Sequence, residues 1–107
     1  MASQLLTHND TDRLLRELNT LSPIRWRLAN DSLECSLSCS SFPAAFGFMA
    51  QVALAAERLN HHPEWTNVYR DLSIQLKTHS AGGLTLLDFE LAKEISAIAL
   101  GSPIENT

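Results

Sequence analysis

At 107 residues the chain is sized for a single domain, 1–107, and so small a domain buries only about two-thirds of its unfolded surface, which makes self-association a natural supplement to a modest core. The net charge is −4 and the basic residues are scattered singly, so the electrostatic footprint of a nucleic-acid binder is missing and direct contact with DNA or RNA is not expected. No apolar run near the start matches the ~7–15 residues of an export signal, and none reaches the ~20 of a membrane helix, so the expectation is a cytoplasmic protein with no membrane contact.

Residues 1–8 read as a loose N-terminal tail. A first helix is expected over 11–19, capped by Thr11 or Asn9, with Leu14, Leu15 and Leu18 at helical spacing. From Ile24 the period changes to two. Ile24, Trp26 and Leu28 alternate with arginines, Leu33, Cys35, Leu37 and Cys39 alternate with polar residues, and Ala29–Ser32 supplies a turn. That is the pattern of an antiparallel hairpin with one buried face. Cys35 and Cys39 lie roughly 13 Å apart on a strand at ~3.3 Å per residue. A disulfide spans no more than about 7 Å between Cα atoms, so both are expected to be reduced.

Ser41-Phe42-Pro43 opens a second helix running to about Asn60, since proline is tolerated in a first turn. Between Phe42 and Ala56 its only polar side chain is Gln51. A helix on one small sheet needs about a third of its circumference apolar, so the surplus calls for another partner. A second copy of the same helix is the expected one, with Ala44, Ala45, Gly47, Ala50, Ala53 and Ala55 allowing close approach. Burial under the other helices of the same chain is the alternative.

Trp65 to Lys77 has strand patterning, Val68, Leu72, Ile74 and Leu76 sharing a parity. Arg70-Asp71 is either a tight turn between two strands or a polar step in one. After a glycine-containing loop over 78–83, Thr85 caps a last helix with Asp88 at its third position. Leu86, Leu87, Leu91, Ile95 and Ile98 give its buried stripe, Gly101 and Pro103 stop it, and 102–107 reads as a loose tail. The order helix, hairpin, helix, one or two strands, helix defines an α+β two-layer sandwich with helices on one face of an antiparallel sheet.

Chemistry concentrates between Glu57 and Asp88. Three of the four histidines, the only tyrosine and one of two tryptophans fall within these 32 residues, spaced Glu57-x3-His61-His62-Pro63-x5-Tyr69-x9-His79-x8-Asp88. Histidine, with a free pKa of ~6.5, both donates and accepts protons near neutrality, so several in one pocket point to acid–base work. A metal site competes with that reading. However, neighbours in an extended segment point to opposite sides, and the spacing fits no familiar zinc pattern, so no metal is expected. The plainer alternative is that these histidines cap a helix end and fill a loop; His8 takes that plain reading.

The full string resembles the signature of the pterin-4a-carbinolamine dehydratases, also known as dimerisation cofactors of a homeodomain transcription factor. Phe46-Gly47-Phe48-Met49 with Val52-Ala53-Leu54, His61-His62-Pro63-Glu64-Trp65 with Asn67-Val68-Tyr69, and Thr78-His79 with Asp88 all look like family blocks. Asn60 stands where many relatives carry an acidic residue. The resemblance implies four antiparallel strands, which favours a turn at Arg70-Asp71, and three helices on one face. It implies dehydration of a 4a-hydroxytetrahydropterin to the quinonoid dihydropterin, a lyase reaction in tetrahydrobiopterin recycling that uses no cofactor. By the same resemblance His61 and His79 transfer protons and His62 mainly binds and orients. Pro63 and the loop Thr78, His79, Ser80 and Ala81 would contact the pterin, while Trp65, Tyr69 and Asp88 support the site; Glu57, one helical turn before His61, either orients an imidazole or binds the pterin's guanidine-like edge, with a solvated helix carboxylate as the plainer alternative. It further implies a homotetramer, a dimer of dimers, built through helix 42–60. The rival from another class is a non-catalytic interaction module, a transcriptional coactivator or assembly factor, that uses the same helix to hold a protein partner.

Overall fold

The computed structural model describes residues 4–102 and 104–106. Its first helix, α1 (His8–Leu21), starts earlier than the sequence suggests, because Thr7 and not Thr11 or Asn9 is the cap: Thr7 Oγ1 accepts from Asp10 N at 3.1 Å. Thr11 instead lies buried one turn in and donates to the His8 carbonyl. The N-terminal segment is not loose throughout, since Leu6 packs on the core and its N–H donates to Leu84 O at 2.9 Å.

The hairpin forms as β1 (Arg27–Ala29) and β2 (Ser32–Cys39), with Leu28 opposite Leu33 and Asn30-Asp31 as the turn. Asn30 takes φ 57°, a left-handed conformation that asparagine tolerates well. Ile24 and Trp26 are buried but precede the strand. The cause is Asn19 on α1, whose side chain accepts from Trp26 N–H at 2.8 Å and donates to Trp26 C=O at 2.9 Å, filling the bonds a neighbouring strand would have made. Along β2, Leu33, Cys35, Leu37 and Cys39 face inward and the intervening residues outward. Both cysteines are free thiols, and burial pushes the Cys35 thiol up to about 12 against the opposing charge of Arg27.

Helix α2 (Phe42–Leu59) is capped by Ser41, carries Pro43 in its first turn, and stops where Asn60 turns left-handed at φ 52°. Ala45, Phe48, Val52, Ala55 and Ala56 are buried against the chain's own core. The exposed apolar face is therefore Phe42, Phe46, Gly47, Ala50, Ala53 and Leu54. Ala45 and Ala55, expected among the residues meeting a second copy, are already used within the chain.

β3 (Glu64–Val68) and β4 (Asp71–Leu76) are two strands joined at Tyr69-Arg70, one residue before the expected turn. Tyr69 is left-handed, and the Asn67 side chain donates to the carbonyls of Tyr69 and Asp71 to hold the bend. A two-residue turn sets Val68 opposite Asp71, so Val68 faces water and does not join Leu72, Ile74 and Leu76 in the core.

The last helix, α3 (Leu86–Leu100), begins with the expected capping box between Thr85 and Asp88 and ends at Gly101; Pro103 lies outside the described residues. Its buried side is Phe89, Leu91, Ala92, Ile95 and Ala99, whereas Leu86 is exposed. The strands run antiparallel in the order β1-β2-β4-β3, and the helices cover one face. The protein is thus the α+β sandwich its pattern implies. One element is additional: β5 (Ile104–Asn106) pairs with Leu37–Cys39 of β2, where the sequence reads as a loose tail.

Candidate active site

The left-handed Asn60 reverses the chain directly after α2, with Asn60 N–H and His61 N–H both closing onto its last turn. This reversal sends two adjacent imidazoles in different directions. His61 is buried against α3, its Nε2 2.5 Å from Asp88 Oδ1. His62 stays exposed, its Nε2 2.9 Å from Glu57 Oε1 one helical turn back.

Asp88 is fully buried and satisfied on both oxygens. Oδ1 meets His61, and Oδ2 accepts from the Thr78 hydroxyl at 2.8 Å and the Thr85 N–H at 2.9 Å. With the Thr78 hydroxyl proton committed to Asp88, the Thr85 hydroxyl must donate to Thr78 at 2.8 Å, and it also accepts from Leu87 N–H. Among the described residues no buried side-chain polar atom lacks a partner. Asp88 therefore does more than cap α3, the role that suffices for it in the sequence. It also fixes His61 through its Nε2, so in the neutral ring Nε2 carries the proton and Nδ1 is the basic nitrogen.

The third imidazole comes from the other side. β4 leads through Lys77 and Thr78 into a 3-10 turn, His79–Ala81, closed by Gly82 at φ 75°. Thr78 N–H donates to Gly83 O at 3.0 Å to hold the loop. His79 is exposed, and its Nε2 lies 3.2 Å from Glu64 Oε1 at the start of β3.

The three imidazoles share one cleft of about 250 Å³, lined by Asn60, His61, His62, Lys77, Thr78, His79 and Ser80. Larger hollows exist, of about 300 Å³ beside Leu5 and Gly83, about 370 Å³ between α1 and α3, about 800 Å³ between α1 and β1 and about 360 Å³ on the outer face of the sheet, but none gathers more than one histidine. Chemistry and not size singles out the smaller one. Of the other expected contacts, Glu57, Pro63 and Ala81 flank the cleft without lining it. Trp65 packs on the core as a support. Tyr69 does not support the site: it sits exposed in the turn at the far end of the β3–β4 hairpin. Glu64, Asn60 and Lys77 are additions the sequence reading missed. For Glu64 the signal was available, because a carboxylate on the first residue of β3 lies across the hairpin from the chain leading to His79. Among the described residues no group of three or more His, Cys, Asp or Glu side chains converges as metal ligands.

An antiparallel sheet under three helices, with imidazole–carboxylate pairs gathered around one cleft, defines the chain as a small α+β sandwich protein with a histidine-lined site. The family model described as pterin 4 alpha carbinolamine dehydratase matches residues 4–98, and the chain belongs to this family. A relative from Chelativorans sp. (strain BNC1), named "Putative pterin-4-alpha-carbinolamine dehydratase", is 46% identical over 92% of this chain and 98% of its own. One from Bradyrhizobium sp. with the same name is 48% identical over 92% and 96%. The crystal structure of a transcriptional coactivator/pterin dehydratase from Brucella melitensis superposes with a TM-score of 0.79 at 41% identity, covering 88% of this chain and 97% of that one.

Proposed function

We propose that the protein removes water from 4a-hydroxytetrahydropterin to give the quinonoid dihydropterin, as a hydro-lyase of tetrahydrobiopterin recycling in the cytoplasm. The observation that carries this reading is the shared cleft with its three imidazoles, of which His61 and His62 are hydrogen-bonded through Nε2 to a carboxylate and His79 lies beside one. In the reaction the C4a–O bond breaks, the hydroxyl leaves as water after gaining a proton, and the N5 proton departs as the N5–C4a double bond forms. No electrons are gained or lost overall, so the step needs two placed proton-transfer groups and no redox partner.

His61 suits the base. Its Nε2–H is committed to a buried carboxylate, Nδ1 is the basic nitrogen, and the imidazolium formed on taking the N5 proton is stabilised by Asp88 at 2.5 Å. His79, on the opposite wall, delivers the proton to the departing hydroxyl. His62 orients the pterin, and the Thr78–Ser80 backbone and Lys77 border the ring. A flat two-ring heterocycle suits a space somewhat below the ~300–1,000 Å³ usual for larger ligands. The test is dehydration of chemically generated carbinolamine by purified protein. His61→Ala and His79→Ala should each lower the catalysed rate by about 10²-fold or more. Equal rates for wild type, both variants and buffer would overturn the reading.

The exposed apolar face of α2, with Phe46 58% and Leu54 73% exposed, favours in addition a homotetramer assembled through that helix. The same face supports the second reading, in which the protein holds a protein partner without catalysis. That reading is favoured if the rates above are all equal while the face remains covered in solution.

A further inference from the structure

The loop that carries Thr78 and His79 is closed on itself. Thr78 C=O accepts from Ala81 N–H and Gly82 N–H, both at 3.0 Å, and Thr78 and Gly83 bridge each other through both backbone groups. The Thr78 hydroxyl ties one side of this loop to Asp88. The other side is held from far away in the chain: Leu6 N–H donates to Leu84 O at 2.9 Å, and Leu5 lies across Gly83. The loop's two glycines meet different needs. Gly82 turns left-handed at φ 75°. Gly83 does not; it is buried, and a Cβ on it would stand 2.9 Å from Leu5 Cδ1, closer than side-chain atoms pack. Leu5 therefore rests on bare backbone. It is 54% exposed, so its contact serves the loop more than the core. His79 needs such support. Among the described residues its exposed ring has one polar contact, the Glu64 carboxylate, and a pair of that kind holds weakly in water.

We propose that Leu5 is a positioning residue for the site: with Leu6 it forms a strap across Gly83 and Leu84 that keeps the Thr78–Gly83 loop closed and so holds His79 at its wall of the cleft. The consequence for dehydration rests on the function proposed above, whereas the hold of the strap on the loop does not. A loop that opens takes its wall of the cleft away, so only the closed fraction of the protein binds substrate. Apparent affinity falls in proportion to that fraction, while a saturating ligand draws the loop shut again. Loss of the strap therefore raises KM and spares kcat. Damage to the fold as a whole does the opposite, since it removes active protein and leaves the remainder with its ordinary KM.

The experiment compares wild type with Leu5→Ser, Leu5→Met, Gly83→Ala and the double variant Leu5→Ser/Gly83→Ala, with Leu21→Ser, the same change at an exposed leucine of α1, as control. Amide hydrogen exchange is followed at Thr78, whose N–H is bonded to Gly83 O. Losing about half of a leucine's burial should speed that exchange about tenfold in Leu5→Ser and leave the β2–β4 ladder unchanged. In the dehydration assay KM should rise roughly two- to fivefold with kcat within about twofold. Leu5→Met and Leu21→Ser should match wild type in both measurements. Gly83→Ala, whose methyl pushes Leu5 away, should resemble Leu5→Ser, and in the double variant it should add nothing, because the side chain it displaces is already gone. Unchanged Thr78 exchange in Leu5→Ser, a fall in kcat at constant KM, or effects that multiply in the double variant overturn the proposal. A wild type that forms no product, while Leu5→Ser still speeds Thr78 exchange, overturns the dehydratase reading and leaves the hold of the strap on the loop established.

Discussion

Replacing Asp88 by asparagine changes one atom and reverses one hydrogen bond. Asp88 now offers two acceptors to three donors: Oδ1 to His61, Oδ2 to Thr78 and Thr85 N–H. In Asp88→Asn a single oxygen remains, and it is best kept by Thr78 and Thr85, whose two donors converge on one side. The amide NH2 then faces His61 Nε2, so the ring must accept there and carry its proton on Nδ1, the nitrogen assigned to take up the N5 proton. Loss of a correctly placed base costs about 10²–10⁴-fold in rate. Trading a charge-assisted bond for a neutral one costs about 1–1.5 kcal/mol, the difference between the two kinds of bond. For a domain of this size that lowers the melting temperature by roughly 4–6 °C, at about 4 °C per kcal/mol. The assays are carbinolamine dehydration, thermal unfolding at fixed protein concentration, and ring nitrogen-15 NMR. A variant that dehydrates at the wild-type rate with the His61 proton moved to Nδ1 would refute the assignment of His61 as base. One whose His61 tautomer is unchanged would refute the hydrogen-bond argument itself.

Two other predictions follow from surfaces and thiols. Ala50→Glu places a charge on the exposed apolar face of α2, where folding of the single chain should change by no more than about 0.5 kcal/mol. The mass seen by light scattering should drop, and an unchanged mass would mean this face does not join copies. For Cys35, the folded thiol is held protonated up to about 12 against an ordinary 9.0. Below pH 9 neither state ionises and this group leaves stability independent of pH. Above it the unfolded chain loses the proton first, so stability falls as pH rises toward 12, by about 3 kcal/mol at pH 11 at ~1.4 kcal/mol per unit. Unfolding of Cys35→Ala by urea between pH 9 and 11 should therefore show a shallower loss than wild type. Equal slopes would sink the argument.

Much of this frame is written locally. Ser41 with Pro43, and Thr85 with Asp88, open their helices as short-range capping chemistry requires, and the alternation of β2 survives intact. What escapes a reading by period is whatever a distant side chain decides. Trp26 alternates like a strand residue but is held by Asn19 from α1, and Val68 shares parity with the core of β4 until a two-residue turn places it outside. β5 forms because the flank of β2 beyond the short β1 is open to it, a vacancy that no pattern within 102–107 announces. At the site, spacing nominated the three histidines, but their carboxylates differ in how visible they are. Glu57 is legible one turn from the His61-His62 pair, whereas the Asp88 pairing needs the reversal at Asn60 and the Glu64 pairing needs the β3–β4 hairpin.

The carboxyl group of Asp88 serves the first turn of α3 and the ring of His61 at once, so the backbone amide of Thr85 and the imidazole are tethered to a single rigid plane. Fraying at the beginning of that helix must therefore loosen the ring in the same event. Deuterium uptake at the Thr85 amide becomes a gauge of how often the site comes apart, readable without any pterin present.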